Sequence, residues 1–380
     1  MCASQRTRRS SLGVTMATAV SACFVRAGRV GGAEQALYNL LDGLRSVGAP
    51  WEVVTAEALK PGFDLAPLVA RPVQVPGVHN RVVVETLTLP TLRDVDRWLL
   101  PNYYTPVGLR GRVVTVIHDA QHEHFPDNFS ARKRAWLRAA HRHTMRRSDV
   151  VVAISQFVAA DLRRVHGDRY AAKIQVIPDA VSFDRLEPGS LPAGLPADRE
   201  VVLCVSGSYR HKNLETLVRA FADVAVWRPD SQLVIVGQAP ELLLGARRGP
   251  VVSGLVGELG LANRVSVLGY VSDAELGALY RRASVLAMPS LFEGFGLPVI
   301  EALGLGVPVV STRCGALAEV SRGLARHVDD PTSAAEMARR LVDVLGEGDA
   351  ARPSSADVER VRARYDPTTV AGLFRAAVEQ

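Results

Sequence analysis

Short apolar runs alternate with segments of helical spacing along this chain, and they do so in two series. In the first, Ala17–Val25, Trp51–Ala56, Val82–Leu87, Trp98–Leu100, Val113–Ile117, Val150–Ile154 and Lys173–Ile177 read as strands. Ala33–Ser46 carries Ala36, Leu37, Leu40, Leu41 and Leu44 on one helical stripe, and Ser155 is placed to cap a helix reaching about Arg164. The second series has strands at Val201–Val205, Gln232–Val236, Arg264–Leu268, Ala283–Met288 and Val307–Ser311, with helices between them. Uninterrupted apolar runs separated by helices predict parallel strands covered on both faces. The fold class is therefore α/β, two doubly wound parallel-sheet domains with a ligand crevice at the carboxyl ends of the strands.

Between the series, Leu186–Pro196 holds three prolines and two glycines without a period, which predicts an interdomain linker. The expected organisation is a disordered extension at 1–16, a first domain at 17–185, a linker at 186–199, a second domain at 200–364 and a terminal helix at 365–380. Thr7-Arg-Arg-Ser-Ser-Leu and the apolar run to Cys23 have the look of a twin-arginine signal, but cleavage before Cys23 would remove most of the first strand. Residues 1–16 are read instead as an extension, with Met16 as a candidate start.

With 48% hydrophobic and 22% charged residues among 380, the composition is that of a soluble globular protein. No apolar run reaches the roughly eighteen residues of a membrane span. Cys2, Cys23, Cys204 and Cys314 lack metal or redox spacing, so reduced thiols in a cytoplasmic protein are expected. In the predicted helix Ser130–Arg147, the side chains of Arg134, Arg138, Arg142 and Arg146 form a cationic stripe. Two readings stay open for it, a solvated face or peripheral contact with an anionic membrane surface. No stacking platform or binding module accompanies the charge, which argues against nucleic acid.

The chemistry concentrates in Pro289-Ser-Leu-Phe-Glu-Gly-Phe-Gly-Leu-Pro-Val-Ile-Glu301, a strand-to-helix loop with Pro298 in the first helical turn. Its glycines let a ligand approach the backbone, and the free N–H groups of the helix start favour a phosphate. Glu293 and Glu301 flank that seat, and a carboxylate accepts hydrogen bonds from paired hydroxyls, as a nucleotide sugar offers. Glu293-x₇-Glu301, followed by Gly306-Val-Pro-Val-Val-Ser311 and Gly315-Ala-Leu-Ala-Glu319, resembles the donor signature of the retaining glycosyltransferases of family 4. The resemblance implies a GT-B fold, in which two Rossmann-like domains face across a cleft and the last helix returns to the first domain.

Further positions follow the resemblance. It implies that Glu301 holds the donor ribose, that Glu293 contacts sugar hydroxyls, and that the backbone of Gly294, Phe295, Gly296 and Leu297 meets sugar and phosphate. Tyr270 and Val271 would cradle the base, and Gly31 and Gly32, in the loop Gly28–Gly32, would approach the diphosphate. His118, at the end of the strand Val113–Ile117, would touch the donor sugar. Lys212 and Arg210, beside a helix start, would neutralise the leaving diphosphate, although Arg210 lies closer to the lysine than the family's arginine does. Pro178-Asp-Ala-Val-Ser182 stands where the family has a proline-asparagine-glycine turn, a variant of little expected functional weight.

His118, His122 and His124 invite a metal reading, but a strand end running into Phe125-Pro126 does not give the shared helical face that zinc spacing needs. No metal or other cofactor is expected, and His122 and His124 either line the acceptor side or lie on the surface. The string His118-Asp-x-Gln-His-x-x-Phe-Pro is similar to bacterial mannosyltransferases of the family. The expected activity is metal-independent, retaining transfer of a hexose, with mannose the first candidate, from a nucleoside diphosphate sugar to a glycan, lipid-linked or small-molecule acceptor. The loops at 57–81 and 101–111 are expected to select that acceptor. The rivals are a nucleotide-sugar epimerase on the same fold and a non-catalytic sugar-nucleotide-binding protein.

Overall fold

The computed structural model describes residues 17–26, 31–48, 51–187, 189–193, 195, 199–237 and 252–380. The expected extension at 1–16, Gly28 of the glycine loop and part of the expected linker lie outside the described residues.

The first unit runs β1 (Ala17–Ser21), α1 (Gly32–Ser46), β2 (Trp51–Thr55), β3 (Val69–Pro72), α2 (Arg81–Thr88), β4 (Val95–Leu100), β5 (Arg112–Ile117), α3 (Gln121–His124), α4 (Ala131–Arg147), β6 (Val150–Ala153), α5 (Gln156–His166) and β7 (Ile174–Val176). The second runs β8 (Glu200–Val205), α6 (Leu214–Trp227), β9 (Ser231–Val236), α7 (Val252–Glu258), β10 (Val265–Val267), α8 (Asp273–Arg282), β11 (Ala283–Met288), α9 (Leu297–Gly304), β12 (Val309–Thr312), α10 (Leu317–Ser321), β13 (Ala325–Val328) and α11 (Ala334–Glu347). Two more helices follow, α12 (Ser355–Tyr365) and α13 (Pro367–Glu379).

Among the described residues the strands form a seven-stranded sheet, β3-β2-β1-β4-β5-β6-β7, and a six-stranded sheet, β10-β9-β8-β11-β12-β13. Their pairings are parallel, such as Val114 beside Val150 and Leu286 beside Val309. Both sheets are therefore of the doubly wound kind that the apolar runs predict. Order reverses beside β1 in one sheet and beside β8 in the other, and the segments after β1, β5, β8 and β11 carry the nominated residues except Tyr270 and Val271, which follow β10.

One predicted strand is a helix. The valine-rich run at 82–87 lies within α2, where the Asn80 side chain accepts the Val82 N–H at 3.0 Å and Thr86 and Thr88 donate to the carbonyls of Val82 and Val84. The Asn80 cap and the burial of Glu85, which accepts from Ser21 Oγ at 2.9 Å, outweigh β propensity. The apolar run from Ala17 stays extended only to Ser21. β3 and β13 are strands beyond those expected.

The start of the expected linker is docked. Leu186 is fully buried, its carbonyl accepts from Arg281 Nη1 at 2.6 Å, and the Gly189 N–H reaches the Ala274 carbonyl at 3.0 Å. The chain passes between units again near Tyr365, whose carbonyl accepts the Val181 N–H at 2.8 Å, so the two crossings sit side by side. After the second, α13 buries Val370, Ala371, Phe374, Ala377 and Val378 along one stripe and packs on α1. Arg112 donates to the Ala377 carbonyl and Arg375 to that of Val47.

Gly43 lets α13 approach α1, since a Cβ there would stand 1.9 Å from the Pro367 carbonyl oxygen. Gly43→Ala is expected to cost about 1–3 kcal/mol or more through overpacking, read as a lower denaturant midpoint; an unchanged midpoint would contradict this packing.

Candidate active site

The loop between β11 and α9 is held from three directions. Glu293 is 8% exposed, and its Oε1 accepts from Lys212 Nζ at 2.7 Å and from Ser290 Oγ at 2.7 Å. Its carbonyl accepts the Ala316 N–H at 3.0 Å, tying the loop to the start of α10. Lys212 reaches it from the short turn between β8 and α6, which ends on Asn213 in a left-handed conformation, with the Asn213 side chain donating to the carbonyls of Pro289 and Pro331. Gly296 adopts φ of +103° before α9, the turn that makes glycine necessary there.

The opposite unit closes on the same loop. A Cβ on Gly294 would lie 2.2 Å from the His118 carbonyl oxygen, so the end of β5 packs directly on residue 294. Ser155 Oγ donates to the Gly294 carbonyl at 2.7 Å while accepting the Val158 N–H as the cap of α5. Glu319 of α10 accepts the N–H groups of Gln156 and Phe157 at 2.8 and 3.1 Å, so a carboxylate of the second unit caps a helix of the first. Phe292 packs among His124, Phe125 and Phe157, tilted to the first and edge-on to the other two, with ring centroids 4.9, 5.9 and 5.5 Å away.

His118 donates from Nε2 to the Pro101 carbonyl at 3.0 Å and turns Nδ1 toward Asp179, 3.7 Å away. Burial works against its proton, yet Asp179, the Pro101 carbonyl and Asp119 outweigh burial and raise the pKa to about 8. His211, beside Lys212, goes the other way. It is 4% exposed, its Nε2 lies 2.9 Å from Gln121 Nε2 and its Nδ1 3.3 Å from Asn128 Nδ2 of the first unit, and burial with the Lys212 charge lowers its pKa to about 4.

Glu301 sits apart from this group. It is 3% exposed, its Oε1 pairs with Arg185, and its Oε2 accepts from the Tyr280 hydroxyl at 2.7 Å. Arg185 also donates to Asp273 at 2.7 Å, and Asp273 in turn pairs with Lys60 of the first unit at 2.9 Å.

Two family models match this chain, Glycosyltransferase Family 4 over residues 30–185 and Glycosyl transferases group 1 over residues 192–356. The chain belongs to the family 4, group 1 glycosyltransferases. It is similar to the D-inositol 3-phosphate glycosyltransferase of Corynebacterium urealyticum, 27% identical over 260 residues, which is 62% of this chain and 61% of that one. It is also similar to the phosphatidyl-myo-inositol mannosyltransferase of Mycobacterium leprae, 32% identical over 236 residues, 60% of this chain and 59% of that one. The match thus spans about three fifths of the length of these curated relatives. Anabaena Alr3699/HepE in complex with UDP and glucose has the same fold, with a TM-score of 0.73 at 19% identity over 96% of this chain and 100% of the other. The two sheets are a GT-B fold.

Within this family member, Glu293, Gly294, Lys212 and His118 converge, and Phe295, Gly296 and Leu297 continue from them into α9. Gly31 is the cap residue of α1, where Glu34 Oε2 accepts its N–H at 3.1 Å and would stand 2.8 Å from a Cβ, whereas a Cβ added to Gly32 would meet nothing within 4 Å among the described residues. Tyr270 is 70% exposed after β10, with Val271 half-buried beside it. Arg210 is exposed and, with His124, lines a cleft of about 420 Å³ beside Asp127, Asn128 and Tyr209. His124 pairs with Asp161 at 2.8 Å. His122 is not on the surface: it is 3% exposed, 4.7 Å from the His141 ring, because α3 packs it onto α4.

Sequence reasoning assigns no place at the site to Asp179, Ser155, His211 or Arg185, which the fold brings there. Asp179 carries a signal, its position in the turn after β7, but weighting that turn lightly misses the residue facing His118.

Because the His118 pKa is higher in the fold than the value of about 6.5 expected for the unfolded chain, its contribution is complete below that pH and is lost as pH rises through about 8. Stability of the native chain is expected to fall across this window in denaturant melts, and His118→Gln is expected to flatten the fall. An equal slope in both proteins would refute a cationic His118 in the fold.

Proposed function

We propose that this chain is a retaining, metal-independent glycosyltransferase that moves a hexose, with mannose the first candidate, from a nucleoside diphosphate sugar to a hydroxyl of a glycan, lipid-linked or small-molecule acceptor. The observation that carries the reading is the Lys212–Glu293 pair, set 2.7 Å apart in the loop on which both units close. An ammonium held beside a carboxylate at a helix start suits a sugar diphosphate. The cation takes the phosphate charge and the carboxylate takes sugar hydroxyls.

In the proposed reaction the bond between the anomeric carbon and the diphosphate oxygen breaks while the acceptor oxygen bonds on the same face. The acceptor proton passes to the leaving phosphate. Lys212, with Arg210 at the rim, compensates the charge that grows on the diphosphate. His118, cationic below about pH 8, adds a positive charge from the opposite unit. The His118 carbonyl lies against Gly294, so the two units meet beside the proposed reacting centre. Mannosyl transfer by the Mycobacterium leprae relative supports the sugar, and its lipid acceptor, like the inositol phosphate of the Corynebacterium relative, supports a polyol or lipid-linked hydroxyl. The UDP in the Anabaena structure supports a nucleoside diphosphate donor.

The test is a thermal-shift screen of the native chain against GDP, UDP, dTDP and ADP with their common sugars, followed by mass spectrometry for transfer. A donor at a hundredfold excess over its Kd adds about 2.7 kcal/mol of stability. Lys212→Met and Glu293→Gln are each expected to lower transfer by about a hundredfold or more, with a cooperative melt at a lower temperature than the native chain because one partner of the pair is lost. Near-native turnover in both would overturn the site, and conversion of a donor to its epimer without acceptor would identify an epimerase instead.

A further inference from the structure

We infer that Arg185 is the positioning residue of the donor-ribose seat: it fixes the Glu301 carboxylate in the orientation that receives the ribose hydroxyls, and it couples that seat to the first unit through Asp273 and Lys60. The inference rests on the reading that Glu301 holds the ribose.

Glu301 lies on α9 and is 3% exposed. Each of its oxygens already accepts one hydrogen bond, Oε1 from Arg185 Nη2 and Oε2 from the Tyr280 hydroxyl at 2.7 Å. A carboxylate offers about four lone-pair sites, so each oxygen keeps room for one more donor, and a vicinal diol supplies two. The two protein donors therefore orient the group without exhausting it.

Arg185 is suited to that task by its planar fork. One arm holds Glu301 and the other holds Asp273 Oδ1 at 2.7 Å, so the two carboxylates are set relative to each other by one rigid group. Its Nε is buried with no hydrogen-bond partner among the described residues. An arginine placed by its own hydrogen bonding would satisfy that donor; here the two carboxylates decide its position. The backbone next to it is immobilised too. The Leu186 carbonyl is bound by Arg281 at 2.6 Å, and a Cβ on Gly277 would stand 2.1 Å from the Leu186 oxygen, so α8 lies flush against the segment that carries Arg185.

The chain of charges continues across the cleft. Asp273 Oδ2 accepts from Lys60 Nζ at 2.9 Å, and the Lys60 N–H donates to the Tyr38 hydroxyl of α1 at 2.8 Å. Closure of the first unit thus bears on the orientation of Glu301 through three side chains. A lysine at 185 would supply charge but only a single point of attachment.

The experiment measures Kd by calorimetry on the full chain for GDP, UDP and ADP and for their 2′-deoxy counterparts. The native chain is expected to favour the ribonucleotide that binds by on the order of tenfold over its deoxy form. Arg185→Met is expected to abolish that preference, and Arg185→Lys to restore only part of it. The double variant Arg185→Met/Glu301→Gln should discriminate no worse than Glu301→Gln alone, because the arginine acts through the glutamate. If Arg185→Met keeps the preference that Glu301→Gln loses, the inference fails and the ribose reading stands. If the native chain and Glu301→Gln both show none, the ribose reading fails and takes the inference with it. Should Arg185→Met not fold, Asp273→Asn leaves the Arg185–Glu301 pair in place and loosens the fork; a reduced preference supports the proposal and an unchanged one overturns it.

Discussion

The carbonyl of His118 occupies the space that a side chain at residue 294 would need, 2.2 Å from where its Cβ would stand. That close approach sets how the two sheets face each other. Once β5 is seated on the loop after β11, Ser155 reaches the Gly294 carbonyl, Glu319 reaches the α5 N-terminus and Phe292 enters the ring cluster of His124, Phe125 and Phe157. None of these contacts is large, but all bear on a few residues at the carboxyl ends of parallel strands. The crossings near Leu186 and Tyr365 lie side by side, joined by the bond from Val181 to Tyr365. The units are thus joined at that pair of crossings and meet again at the Gly294 contact.

The division of the chain into two parallel sheets was legible because buried parallel strands are uninterrupted apolar runs, and β5, β6, β8, β9 and β11 are all of that kind. The loop Pro289–Glu301 was legible for a different reason, since its glycines, proline and two glutamates form one local pattern. What escaped was set at long range. The run at 82–87 has strand composition, and only the Asn80 cap and the burial of Glu85 against Ser21 on β1 make it a helix. Arg185 and Glu301 are 116 residues apart, and nothing local to either announces the pair. His122 belongs to the same class: its neighbours in sequence suggested a cleft, whereas its partner in space is His141 on α4.

The charges of the cleft have a common arrangement. Lys212 is matched by Glu293, Lys60 by Asp273, and Arg185 by both Asp273 and Glu301, so these partly buried cations already stand beside carboxylates. Burying an isolated cation costs several kcal/mol, roughly, and an open anion seat lined by unpaired lysine and arginine would carry that cost in the empty state. Pairing removes it. In the proposed reaction an incoming donor exchanges partners: phosphate oxygens would share Lys212 with Glu293 while sugar hydroxyls would satisfy the carboxylate that the lysine partly leaves. The net charge brought by the donor then falls on groups outside these pairs, Arg210 at the exposed rim and His118, whose proton is retained to about pH 8. Since His118 arrives from the first unit and Lys212 from the second, full compensation of the proposed donor draws on both units.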